Sequence, residues 1–192
     1  MITYTTAQTT AELEGILQLQ KANLAQGLTQ EEIQSQGFVT VHHTFEQLAG
    51  LNDIERHLIA KDGDQVIGYL LAMTAASRND IPILVPLFET FDRVEYQGKK
   101  ISDYHYLVVG QVCIGKGYRG QGILDQAYAA YKEFFSPKYD FAITEIARNN
   151  PRSLNAHKRI GFKEIHSYFD PNQTEWIMVV WDWRKSLRWL KP

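Results

Sequence analysis

The stretch GQVCIGKGYRGQGI, residues 110–123, constrains the fold more than any other part of the chain. It continues an apolar run, HYLVVGQVCI, of the kind buried on both faces of a sheet. It also leads into Leu124, Ala127, Tyr128, Tyr131, Phe134 and Phe135, which mark one face of a helix. Strand, glycine loop and helix start in that order form an anion site. The first amides of a helix have no intrahelical acceptor, and the helix dipole favours negative charge there. The chain therefore needs a sheet whose buried central strand feeds this loop, and a phosphate-bearing ligand to fill it.

Three phosphate signatures overlap on these residues. Gly110-x4-Gly115-Lys116 approaches a P-loop, but the position that needs a Ser or Thr hydroxyl for magnesium is Gly117. The intervening QVCI also reads as strand. Gly115-x-Gly117-x-x-Gly120 spells a dinucleotide fingerprint, and Glu145 ends the next strand, where a ribose-binding acid would sit. Yet a helix starting at Gly117 would contain Gly120 and Gly122, each about 1 kcal/mol less favourable than Ala. In the third register the strand ends near Ile114 and the helix opens at Gly122-Ile123. The amides of residues 119–124 then converge on one spot, Gly120 and Gly122 remove Cβ atoms from its approach, and Arg119 adds charge at the rim.

The rest of the chain reads as alternating elements. ITYTTAQ is a first strand. Thr9 with Glu12, Thr29 with Glu32 and Thr44 with Gln47 are three capping-box patterns that predict helices. RHLIAK and QVIGYLLAM flank Asp62-Gly63 as a hairpin. Residues 74–103, with Pro82 and Pro86, form an irregular insert of loop and one short helix. FAITEIA is a strand, and Asn150-Pro151 caps the helix PRSLNAHKRI, which Gly161 stops. KEIHSYF and TEWIMVVWDW form a last hairpin. These flanking hairpins argue against a doubly wound parallel sheet.

Two blocks in this order resemble the GNAT superfamily, which transfers acyl groups from acyl-CoA, usually to an amine. The family loop, R/Q-x-x-G-x-G/A, is matched by Arg119-x-x-Gly122-x-Leu124, without the final small residue. The second block, N-x-x-A/S, a helix, then G-F, is matched by Asn150 to Ser153 and Gly161-Phe162. The clear match covers residues 105–183. The resemblance implies one α/β domain over residues 1–192, with a mixed, mostly antiparallel sheet, a splayed parallel strand pair and helices on both faces. The splayed strands would be 105–114 and 141–147. Acetyl-CoA would then bind through Val112, Cys113 and Ile114 along its pantetheine arm. Arg119, Gly120, Gln121, Gly122, Ile123 and Leu124 would meet its diphosphate, and Asn150 would touch the cofactor besides capping its helix.

Many relatives carry a Tyr four residues before... the Gly-Phe pair as donor to the departing thiolate; His157 holds that place here. A histidine titrating near pH 6.5 could give sulfur a proton or a hydrogen bond; it could equally be a half-buried helix residue packing on the sheet. Cys113 lies in an apolar strand with no nearby His, so it reads as a small hydrophobe rather than a nucleophile. His42-His43 would face opposite sides of a strand, and no metal pattern is completed. Glu89, Asp103, Glu145 or a water chain could serve as general base. The insert could wall the acceptor pocket, close over it, or meet a second subunit in a homodimer.

A net charge of −2 with pI ≈ 6.3 gives no reason to expect nucleic acid. No apolar run suits a membrane helix, and a single cysteine fits a reducing cytoplasm. The expectation is a cytoplasmic N-acyltransferase acting on a small-molecule or peptide amine in a ternary complex, with no metal. The rival is a non-catalytic acyl-CoA-binding module; a nicotinamide-dependent oxidoreductase would instead bind NADH.

Overall fold

The computed structural model describes residues 1–24, 41–82 and 85–184. In chain order it contains β1 (Ile2–Thr6), α1 (Thr10–Ala22), α2 (Phe45–Ile54), β2 (Leu58–Asp62), β3 (Gln65–Met73), α3 (Val85–Phe91), β4 (Glu95–Tyr96), β5 (Lys99–Lys100), β6 (Tyr106–Ile114), α4 (Ile123–Phe135), β7 (Phe141–Ala147), α5 (Pro151–Ile160), β8 (Lys163–Phe169) and β9 (Glu175–Asp182). Local chemistry explains most boundaries. Thr9 Oγ1 accepts from Glu12 N–H at 3.3 Å while the Glu12 carboxylate accepts from Thr9 N–H at 3.1 Å, which fixes the start of α1. Thr44 and Gln47 do the same for α2. The box at Thr29 and Glu32 lies outside the described residues.

The main sheet has the order β1-β2-β3-β6-β7-β9-β8. Among the described residues its one parallel pair is β6–β7; the other neighbours are antiparallel. This is the mixed sheet expected from the sequence, and it lacks the successive parallel strands of a dinucleotide fold. Tyr128, Tyr131 and Phe135 of α4 bury one face against Leu107, Ala142 and Ile177. On the other face, α1 and α2 pack on Ile59, Tyr69 and Leu71, and α3 packs on Val108, Ile143 and Met178. Helices therefore cover both faces. No helix among the described residues is long and apolar enough to cross a membrane.

The parallel pair opens. Tyr106, Leu107 and Val108 register with Phe141, Ala142 and Ile143, and pairing stops there although both strands continue. The cause lies on the opposite edge of β6. Leu70 pairs with Val112 but Ala72 pairs with Val109, so β6 carries one extra residue around Gly110 and Gln111. Such a bulge bends its strand and increases the local twist, which turns β6 away from β7. A side chain at Gly110 would drive its Cβ into the buried Met73 Sδ. The fully buried His57 accepts the Ala72 N–H on Nδ1 at 3.0 Å, opposite the bulge. At the fork, Thr144 Oγ1 donates to the Val109 carbonyl at 2.8 Å.

The insert departs from its expected loop-and-helix form by adding the β4–β5 hairpin. Its turn, Gln97-Gly98, has φ of 50° and 84°, the left-handed pair that a tight hairpin turn requires. The hairpin is held from outside: the Arg184 guanidinium lies over the Tyr104 ring and bonds Asp182, whose carboxylate accepts from the Tyr96 hydroxyl. His42 and His43 lie in a non-strand segment leading to α2, rather than in a strand.

Candidate active site

The loop between β6 and α4 reaches the helix through two left-handed glycines, Gly120 (φ 76°) and Gly122 (φ 77°). Gly122 is the N-cap, and the first backbone bond of α4 runs from Gln126 N–H to the Gly122 carbonyl at 3.1 Å. The amides of Ile123, Leu124 and Asp125 thus have no intrahelical acceptor. They open beside a cavity of about 590 Å³ that extends from the loop into the space between β6 and α5.

Most residues selected from the sequence line this cavity. Val112, Cys113 and Ile114 form its strand wall. Arg119, Gly120, Gly122, Ile123 and Leu124 surround the loop end, and Asn150 and His157 face it from α5 and its cap. Gln121 does not line it; its side chain turns back to the Gly117 carbonyl at 2.9 Å. Arg119 does more than supply rim charge. Its Nε donates to the Ile114 carbonyl at 2.9 Å and its terminal nitrogen donates to Asn23 Oδ1, so it ties the end of β6 to the end of α1. Asn150 Oδ1 caps α5 by accepting from Ser153 N–H at 3.2 Å. Burial pushes the Cys113 thiol up to about 11, against a smaller lowering by Arg119, so it stays protonated at neutral pH.

Sequence reasoning missed Asn23, Tyr118, Arg152 and Arg159 on the cavity wall. Arg152, Ala156 and Arg159 recur at helical spacing and all line the cavity, a signal available in the sequence. Asn23 had none, because α1 and the loop meet only in the folded chain.

His157 is buried, at 3% exposure. Its Nδ1 lies 2.8 Å from the Ser153 carbonyl, which can only accept, so Nδ1 carries the ring proton and Nε2 accepts from the Tyr128 hydroxyl at 2.6 Å. Burial lowers its pKa to about 4, with the Ser153 carbonyl raising it slightly. The expected titration near pH 6.5 does not survive this environment; the ring is neutral at physiological pH.

A second set of polar groups sits on the opposite face of the fork. Glu145 lies two residues past Ile143, the last β7 residue paired to β6, and alternation puts it on the α3 side. Burial raises its carboxyl to about 7, although the Tyr168 hydroxyl donates to it; nearby Asp170 raises it further. On β6, the bulge residue Gln111 projects to the same side. Its Oε1 accepts from Gln20 Nε2 at 2.6 Å and the Tyr69 hydroxyl at 2.7 Å, and its Nε2 donates to the Val41 carbonyl at 2.9 Å. Gln20 also reaches His43 Nδ1 at 2.9 Å. The fork thus has a loop of free amides and His157 on one face, and Glu145 and Gln111 on the lips of the other. Glu89 and Asp103, the other acids open at the outset, are exposed on the insert. Among the described residues, no group of three or more His, Cys, Asp or Glu side chains could hold a metal ion.

The model of the acetyltransferase (GNAT) family matches residues 23–162. No curated protein sequence matches the chain. Among solved structures, a GNAT-family acetyltransferase from Streptococcus agalactiae superposes with a TM-score of 0.66 at 14% identity, covering 96% of each chain. Arabidopsis thaliana NAA60, in complex with acetyl-CoA, gives 0.63 at 15% identity over 95% of this chain and 99% of its own. A ribosomal-protein-alanine N-acetyltransferase from Brucella melitensis gives 0.62 at 16% identity over 94% and 99%. The family match spans well over half of the sequence, and the chain belongs to the GNAT acetyltransferase family.

Proposed function

We propose that the protein transfers an acetyl group from acetyl-CoA to an amine by direct attack in a ternary complex. The observation that carries this reading is the convergence of the α4 amides on a cavity at the mouth of the opened β6–β7 pair. A diphosphate at that spot would be held by the amides of residues 120–125, Gln121 included through its backbone, with the charge of Arg119 beside it. From there the pantetheine arm would run along Val112, Cys113 and Ile114, whose β7-facing backbone groups lack a strand partner. The thioester would reach the fork, where the other lip begins.

Glu145 is the proposed general base. A carboxyl held near 7 is matched to accepting a proton at neutral pH. As the amine nitrogen bonds to the thioester carbon, Glu145 takes the nitrogen's proton; collapse of the tetrahedral intermediate then breaks the C–S bond. His157 is the proposed residue at the departing sulfur. Being neutral, with its one N–H on Nδ1 beside the Ser153 carbonyl, it would donate to the thiolate only by sharing that proton between carbonyl and sulfur, not as an imidazolium.

The acceptor is an amine on a small molecule or a peptide; the name of the Brucella neighbour, a ribosomal-protein-alanine N-acetyltransferase, supports the amino group of a protein or peptide. A second reading, an acyl-CoA-binding module without turnover, is favoured by one observation: both ring nitrogens of His157 already have partners. Thiol release from acetyl-CoA with a panel of primary amines separates the two. Release above the buffer rate that falls with Glu145→Gln supports the transferase. Binding of acetyl-CoA with no release from any amine supports the module.

A further inference from the structure

A second cavity, of about 660 Å³, lies on the Glu145 face of the sheet. The end of α3 and the residues after it form one wall through Thr90, Arg93, Val94 and Glu95; β8 forms the other through Ile165, His166 and Tyr168, with Phe169 at its end. Neither the loop nor the cofactor cavity contributes to it. Val94 and Ile165 pack on the α3 core and give the cavity an apolar strip beside the polar Thr90, Arg93, Glu95 and His166, while Phe169 is left 65% exposed at the rim.

The cavity is joined to the chemistry by one side chain. Tyr168 is part of its wall, and the Tyr168 hydroxyl is the donor to Glu145 Oε2. The strand register agrees: Glu145 pairs with Met178, and Met178 pairs with His166 on β8, so the groove opens at the level of the carboxylate. A molecule lying here has its inner end at the Tyr168 hydroxyl, which bonds Glu145, and its body against Ile165, Val94 and the Tyr168 ring, with His166, Arg93 and Glu95 around it.

We infer that this groove, between the 90–95 turn and the β8 face, holds the substituent of the acceptor amine, and that the substituent is aromatic or branched aliphatic. The inference rests on the acetyl-transfer reading above. The insert of residues 74–103 is then a specificity element: it builds the wall that selects the acceptor. Tyr168 is a positioning residue that aligns Glu145 at the inner end of the groove. Val94, Ile165 and the Tyr168 ring offer carbon beside the hydroxyl that reaches Glu145, and an acceptor without a side chain next to its amine gains nothing from that surface.

The test compares phenylalaninamide with glycinamide, two small primary amines, as acceptors for the full chain with acetyl-CoA, followed by thiol release. Phenylalaninamide is expected to show a kcat/KM at least about tenfold higher, since a single methylene in an apolar pocket is worth about 10–200-fold. In Phe169→Ala and Ile165→Ala that ratio should drop several-fold, with acetyl-CoA affinity by calorimetry unchanged. Phe169 is exposed, so its variant folds even where Ile165→Ala does not. Transfer to both amines at similar efficiency, or a ratio indifferent to both substitutions, overturns the groove assignment alone. Acetyl-CoA binding with no transfer to either amine overturns it together with the transfer reading, and failure to bind acetyl-CoA removes the cofactor assignment.

Discussion

Thr144 Oγ1 donates to the Val109 carbonyl at 2.8 Å, at the point where β6 and β7 stop pairing as strands. The bond gives a buried carbonyl the partner that the missing ladder would have supplied. It also fixes where the fork begins, and so the depth to which a thioester arm could reach. Thr144→Val keeps the shape and removes the donor. It should cost about 1–3 kcal/mol of stability in urea melts, the range for leaving a buried polar group unpaired, while Thr144→Ser stays close to the parent.

Gly122 sits at φ 77° as the N-cap of α4, and a Cβ there would meet only Gln126 Nε2, at 3.9 Å. The cost of Gly122→Val is therefore backbone strain, about 1–2 kcal/mol for an L-residue in the left-handed region, plus a branched side chain among the loop amides. Acetyl-CoA affinity should fall about tenfold or more, read by calorimetry. Unchanged affinity would show that the loop does not hold the diphosphate.

The activity profile against pH should be governed by Glu145. Its folded carboxyl titrates near 7, so kcat/KM should rise through a limb near pH 7 and level off above it. Tyr168→Phe removes the hydrogen bond that lowers this value, and the limb should move to higher pH by about one unit. The groups facing Glu145 include Asp170, whose charge pushes the same way and remains in the variant. A limb near 6.5 that vanishes in His157→Gln would instead mark His157 as the titrating group.

Three buried histidines make the fold sensitive to mild acid. His43 and His157 titrate near 4 and His57 near 3 in the folded chain, against 6.5 when unfolded, each mainly because burial disfavours the charged ring. Below pH 6.5 the unfolded chain binds protons that the folded chain refuses, so stability present above 6.5 is lost as pH falls toward 4. Glu145 acts in the opposite sense: raised from 4.5 to about 7, it favours folding at low pH, and that contribution declines between 4.5 and 7. Three groups against one leave a net loss, on the order of 2–3 kcal/mol per pH unit at its steepest. Urea melts at pH 7.5 and pH 5 check this, and equal midpoints would contradict it.

Cys113 should not carry the acyl group. Its thiol is raised to about 11 and lies in the strand wall. Mass spectrometry after incubation with acetyl-CoA should show no acetyl adduct on Cys113, and an adduct formed and consumed at the turnover rate would replace direct attack with a two-step route.

Much of the fold was legible because its boundaries are set by short-range chemistry. Thr9 with Glu12, Asn150-Pro151 and the left-handed Gly122 fix helix starts within four residues of chain. The period of apolar residues gave α4 and β7 their full lengths. The loop side of the candidate site was equally legible, since glycines and the strand before them lie together in sequence. The other lip was not. Glu145 stood as one acid among several, because its raised carboxyl comes from burial and from the charge of Asp170, 25 residues away in the chain. Gln111 read as plain strand, because the bulge exists only relative to β3. His157 was visible as a residue but not as a neutral one, since its lowered pKa comes from burial under elements distant in sequence, Tyr128 among them. The β4–β5 hairpin was missed because a Gln-Gly turn with two-residue strands carries little signal without Asp182 and Arg184 behind it.

The most direct measurement is calorimetry of the full chain with acetyl-CoA and with S-acetylpantetheine, which keeps the thioester arm and lacks the nucleotide diphosphate. Amides converging at the start of α4 predict that acetyl-CoA binds at least about a hundredfold more tightly, a difference of about 2.7 kcal/mol. Equal affinities for the two compounds, or no binding of acetyl-CoA at roughly 0.5 mM, where a site of millimolar affinity or better gives heat, would contradict the assignment of the fork and its loop to this cofactor.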